Sequence, residues 1–227
     1  TNTTGAVWLG LTVGCCQCHD HKYDPLSAKD YYSLYAFFNS AAEPTLPIGK
    51  APPELERQIA AMEARIAYLR MGGDDEAVKK ALAELKKLEA KGPSTLVMRE
   101  LPKPRETYVQ VRGDFLRNGD KVTPGFPGAL ASPGTAVSGL SRLDLAKWLV
   151  SADNPLTARV TVNRYWQQFF GKGIVETEND FGMQGSLPTH PELLDWLATE
   201  FVRDGWSVKR FHKLIVTSRT YRQASVA

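Results

Sequence analysis

Nothing in this chain of 227 residues approaches the run of about 18 apolar residues that a membrane-crossing helix requires. Its 28 Lys and Arg against 25 Asp and Glu leave a net charge of only +3, and no basic stripe marks a nucleic-acid surface. Cysteine is scarce: all three, Cys15, Cys16 and Cys18, fall within four positions. That usage excludes a disulfide framework spread through the fold and points to one local cofactor or redox site. Also missing are a second C-x-x-C pair, an H-x-x-x-H pair, a Gly-rich phosphate loop, paired carboxylates and any Ser/His/Asp order. No charged-then-apolar leader is present, Thr1 opens the chain in place of Met, and Thr220 to Gln223 still read as helix. The chain is therefore expected to be an internal piece of a longer precursor. What remains is globular: 43% apolar residues and 10% aromatics supply a core for one large or two small domains.

The cysteines belong to the run Cys15-Cys16-Gln17-Cys18-His19, a C-x-x-C-H signature for covalent attachment of c-type haem. Thiols three positions apart on one helical turn face the same way, so both can bond the vinyl groups of one porphyrin. The adjoining His19 can then ligate the iron. Two other readings stay open. A zinc or iron ion held by Cys15, Cys18, His19 and His21 is one, although neighbouring residues rarely both reach a tetrahedral ion and no second ligand pair exists. A redox dithiol or local disulfide is the other, without the strand-then-helix context that such folds show. Cys16 reads as a small buried apolar residue. A sixth iron ligand would have to come from Met62, Met71, Met98, Met183, His190 or His212, none marked by its neighbours. Trp8, Tyr23, Tyr31, Tyr35, Phe37 and Phe38 fit either a haem wall or an ordinary core.

The spacing predicts a mainly α protein with a small antiparallel β insert, in four stretches. Residues 1–48 read as helix, cysteine knuckle, turn and an aromatic helix capped by Ser27 and Asp30. Residues 49–92 read as a helical hairpin: Leu55, Ile59, Met62, Ile66 and Leu69, then Val78, Leu82 and Leu85, on either side of Gly72-Gly73-Asp74-Asp75. Residues 93–135 read as β-rich, with strands over 95–99 and 107–112 and a hairpin turn at Asn118-Gly119. Residues 136–227 read as a helical domain whose helices start at Ser141, Asn154, Thr189 and Ser207. Arg112-Gly113-Asp114 reads as a turn, Asp180-Phe181-Gly182 lacks every other kinase element, and the basic positions from Lys209 to Arg222 read as a solvated face.

Two blocks carry a resemblance. Residues 2–15, with Cys18-His19-Asp20-His21-Lys22-Tyr23-Asp24-Pro25, Tyr31-Tyr32 and Phe37-Phe38-Asn39, closely resemble the end of a planctomycete-type cytochrome c domain of uncharacterised function. Residues 143–149, 154–164, 179–182 and 190–197 resemble the start of its usual partner, a second domain of unknown function. The resemblance implies a large exported protein, periplasmic or at the cell surface, often with a further cytochrome domain upstream. By carry-over, Cys15 and Cys18 attach haem c and His19 is the proximal ligand. The expected activity is one-electron transfer to a redox partner protein or the upstream cytochrome domain, or haem-assisted redox chemistry, without a catalytic constellation; the alternative is a non-haem metal or disulfide knuckle within a larger periplasmic enzyme or polymer-binding protein. The His-Asp-His-Lys continuation departs from small cytochromes and keeps the zinc or iron alternative alive, with His21, Asp20 and Asp24 as ligands.

Overall fold

A computed structural model describes residues 1–131 and 139–224. In chain order its elements are α1 (Asn2–Thr4), running into a π-helical turn (Gly5–Leu9), a 3₁₀ turn (Val13–Gln17), α2 (Ala28–Asn39), β1 (Ala41–Ala42) and β2 (Thr45–Pro47). Then follow α3 (Pro53–Met71), α4 (Asp75–Glu89), β3 (Ser94–Leu96), β4 (Arg99–Glu100), β5 (Thr107–Gln110) and β6 (Asn118–Val122). Helices α5 (Arg142–Leu149), α6 (Thr157–Phe170), α7 (Pro191–Arg203) and α8 (Val208–Thr217) complete the set. The sheets among the described residues are antiparallel pairs, so the expected mainly α class with a small β insert is the observed one. None of the described helices is long and apolar enough to cross a membrane.

The chain folds into two compact units, one of Thr1–Ser40 with Arg105–Ala227 and one of Ala41–Pro104. In the second, β1 pairs with β4 and β2 with β3, so strands flanking the α3–α4 hairpin close its base. The two-glycine turn forms as the sequence implies: Gly73 takes φ +72°, and Asp74 accepts the Ala77 N–H at 3.0 Å to cap α4. The seam is thin. Leu55, Ile66 and Ala81 are its buried residues, and Leu82 is exposed. The expected boundary at 135/136 lies outside the described residues.

The first unit has two apolar clusters. One gathers Leu9, Leu11, Val13 and Cys16 against Tyr31, Tyr32, Leu34 and Phe37 of α2 and Leu145, Trp148 and Leu149 of α5. The other packs Ala158 and Val162 of α6 with Leu194, Leu197 and Phe201 of α7 and Phe211 and Ile215 of α8. Ser27 and Asp30, and likewise Ser141 and Asp144, form the expected capping boxes on α2 and α5. Helix α6 begins at Thr157, three residues after the expected start. Asn154 caps it from outside, its Oδ1 accepting the N–H groups of Leu156 and Thr157 at 3.0 and 3.1 Å.

Three local expectations fail, two of them for tertiary reasons. Asn118-Gly119 opens strand β6 instead of forming a hairpin turn: Gln110 pairs with Asn118, and the reversal falls at Arg112 (φ +57°) and Gly113 (φ +75°). Thr189 does not cap α7, because its N–H and hydroxyl both donate to Ile174 O at 2.9 and 3.2 Å and leave His190 at the N-cap. Residues 220–223 form a turn, since Ser218 leaves helical geometry at ψ +153°.

Candidate functional site

The cysteine run folds as a 3₁₀ turn over Val13–Gln17, closed by the Cys18 N–H donating to Cys15 O at 3.3 Å. Side chains three apart eclipse in such a turn, which sets Cys15 and Cys18 on one side. Both are free thiols and exposed. Cys16 points the other way into the first apolar cluster, 1% exposed, its thiol donating to Leu26 O at 3.5 Å. Burial pushes that thiol up to about 11.

The two histidines of the run are held in opposite tautomers. His19 is exposed, and its Nδ1 lies 2.7 Å from Asp20 O. A carbonyl oxygen only accepts, so Nδ1 carries the proton and Nε2 presents a lone pair. His21 is buried, and its Nδ1 accepts the Asp24 N–H at 2.9 Å. Nε2 of the neutral ring is therefore the donor, 3.3 Å from the Thr12 hydroxyl. His19 has a nitrogen free to bind and His21 has none.

Around this turn the body of the unit is fastened from several directions. The Tyr32 hydroxyl sits 2.9 Å from Gln17 O and 3.3 Å from Gln110 Oε1, joining the knuckle to α2 and β5. Asp20 Oδ1 accepts the Ala28 N–H at 2.7 Å at the start of α2. Gly113 lies so close to Cys18 that a Cβ would stand 2.7 Å from its Sγ, and its left-handed backbone independently demands glycine.

Buried Asp24 ties the knuckle to the C-terminal helices, accepting the Met183 N–H at 2.7 Å through Oδ1. Its Oδ2, 3.4 Å from His21 Nδ1, has no hydrogen-bond partner among the described residues. A Cβ at Gly182 would overlap this carboxylate. Alongside, the Phe181 N–H donates to Gly10 O at 2.7 Å. Arg164 of α6 donates to Val7 O (2.5 Å), Ala6 O (2.7 Å) and Asn179 Oδ1 (2.9 Å). Sequence reasoning missed this seam. The string Asp180-Phe181-Gly182 was its one signal, and its worth is structural: Asp180 Oδ1 accepts the Gly182 N–H at 2.9 Å and shapes the turn that receives Asp24.

The other sequence candidates scatter. Tyr31 and Phe37 are core residues, Phe38 packs against that core, and Trp8 lines a separate groove with Leu145 and Leu149. Tyr23 and Tyr35 stay exposed. Met62, Met71 and Met98 lie in the other unit. Met183 is joined to Asp24 through its backbone with its side chain exposed, His190 sits at the α7 N-cap, and His212 is wedged against Tyr165 and Phe169. Among the described residues no group of three or more His, Cys, Asp or Glu is arranged to hold a metal ion.

Residues 1–43 match the family model described as PSCyt2, protein of unknown function (DUF1549). Residues 141–227 match the model described as PSD1, protein of unknown function (DUF1553). Both are planctomycete-type domains. No curated protein and no solved structure matches the chain.

Proposed function

We propose that this knuckle is a haem c attachment site, with Cys15 and Cys18 forming the thioethers and His19 Nε2 ligating the iron, and that the protein carries single electrons. The observation behind the reading is the division of labour within five residues. Two free, exposed thiols lie three positions apart at the turn, beside a histidine whose other nitrogen is anchored on Asp20 O. Anchoring one ring nitrogen on a carbonyl is how proteins fix the tautomer and aim of a ligating histidine. Bound haem supplies a one-electron iron couple, which asks for no acid or base from the protein.

The remaining residues hold that arrangement in place. Cys16 plugs the turn into the core, His21 and Asp24 lock the following loop, and Gly113 leaves room for the Cys18 sulfur. Exposed thiols make the attachment point accessible to a redox partner protein or an upstream cytochrome domain of an exported, periplasmic or cell-surface assembly. The non-haem alternative, zinc or iron on Cys15, Cys18, His19 and His21, lacks one free donor of the four. Both nitrogens of His21 are engaged, and Asp20 and Asp24 each accept a backbone N–H.

The deciding experiment is a pyridine haemochrome spectrum of the protein exported by a host with c-type cytochrome maturation, with elemental analysis of the same sample. A two-thioether α-band with about one iron per chain, lost when Cys15 and Cys18 are replaced by Ala, is the expected result. Colourless protein carrying stoichiometric zinc overturns it in favour of the non-haem site.

A further inference from the structure

Far along the chain from the knuckle, the start of α6 and the outer face of α7 enclose a groove of about 510 Å³, within the range of small-molecule sites. Its polar lining is both acidic and basic: Asp153 and Asn154 before α6, Arg159 on it, Asp195 and Arg203 on α7. Arg159 Nε donates to Asp195 Oδ1 at 2.6 Å, which joins the two helices and leaves further acceptor and donor sites on both half-exposed groups.

Two features stand out along this groove. Asn154 is 6% exposed, and while its Oδ1 caps α6, its Nδ2 has no partner among the described residues. A buried amide nitrogen without a partner is costly unless something supplies an acceptor. At the other end of the groove Trp206 follows Gly205 with φ +60°, a left-handed conformation that is an outlier for so bulky a residue. Strain of this kind collects at sites that hold a side chain in place for a ligand. Here the Trp206 N–H donates to Phe201 O at 2.9 Å at the end of α7, the indole packs edge-on to Phe201 of the second cluster with ring centroids 5.3 Å apart, and the residue lines the groove.

An indole flanked by carboxylates, guanidinium groups and an amide is the chemistry that recognises a sugar ring. Hydroxyls both donate and accept, so they meet a carboxylate and a guanidinium side by side, and the C–H face of the ring lies on the aromatic plane. The opposed charges of the lining give no preference for an anion. We propose that this groove binds a neutral saccharide segment, with Trp206 as the stacking platform and Asp195 and Arg159 as hydroxyl partners.

The test is isothermal titration of the whole chain with neutral gluco-, galacto-, manno-, xylo- and N-acetylglucosamine oligosaccharides of two to four units, beside sulfated and carboxylated counterparts. The expected result is saturable binding of at least one neutral probe, weakened tenfold or more by Trp206→Ala and by Asp195→Asn and largely restored by Trp206→Phe. Circular dichroism melts verify that the variants are folded; half-exposed Asp195 keeps the test valid even if Trp206→Ala unfolds α7. No binding of any neutral probe overturns the proposal. So does binding that Asp195→Asn leaves unchanged, or binding confined to the charged probes.

Discussion

The two sides of the cysteine knuckle differ more than any sequence pattern would suggest. On the outer side Cys15, Cys18 and His19 are exposed, with one nitrogen of His19 uncommitted. On the inner side Cys16, His21 and Asp24 are buried, and each hydrogen-bonds the surrounding backbone. The inner residues hold the turn against two helical clusters, so the outer ones need not contribute to stability and are free to hold a ligand. On the proposed reading, stability falls to the buried residues and ligand binding to the exposed ones, and that division can be attacked from either side.

The heaviest blow falls where Asp24 meets the C-terminal helices. Gly182→Ala drives a methyl group into a buried carboxylate flanked by fixed backbone, and it is expected to cost about 3 kcal/mol by chemical denaturation. Pairing it with Asp24→Ala should recover part of that loss, because both substitutions act on one contact. Additive costs would mean that the inner side is not anchored there.

Arg164→Ala comes next. It leaves the carbonyls of Ala6 and Val7 without their charged donor and is expected to cost about 2 kcal/mol. Since Arg164 lies in the segment matching PSD1 and its two carbonyl acceptors in the segment matching PSCyt2, the same loss should appear whether the melt is followed near the knuckle or in α6 and α7. Separate transitions would show that the two segments fold independently.

A smaller effect distinguishes the cysteines themselves. Iodoacetamide at pH 8 should label Cys15 and Cys18 of the haem-free protein and spare Cys16, whose thiol is buried and raised to about 11. The unfolded thiol ionises near 9, so the stability due to burying neutral Cys16 is complete below that pH and is lost as pH rises from about 9 through 11. Cys16→Ala should cost about 1 kcal/mol and flatten that alkaline decline. Labelling of all three thiols at equal rates in the folded protein would erase the contrast between the two sides.

Much of this was legible in the sequence, and where reading stopped is physically instructive. Capping residues act within one turn, so Ser27 with Asp30 and Ser141 with Asp144 announced α2 and α5 correctly. Heptad spacing gave the α3–α4 hairpin, though not how little of it is buried. Cys16 read correctly as core. Position-by-position reading could not see that Asp24 faces inward, because its partner Met183 stands 159 residues away. Thr189 and Asn118-Gly119 misled for the same reason: Ile174 O and strand β5 compete with the local turn chemistry and win.

The smallest expected change is also the sharpest probe of the outer side. Cys15→Ala, Cys18→Ala and His19→Ala remove groups that are exposed and, apart from the His19 contact to Asp20, make no side-chain hydrogen bond among the described residues. Each should shift the stability of haem-free protein by no more than about 0.5 kcal/mol. Gly113→Ala is the counter-case on the same face, because a Cβ there meets the Cys18 sulfur from a left-handed backbone. It should destabilise the protein by about 2 kcal/mol and reduce haem incorporation as well. If the three alanine variants instead unfold the protein, the outer residues carry the fold, and the case for reserving them for a ligand falls.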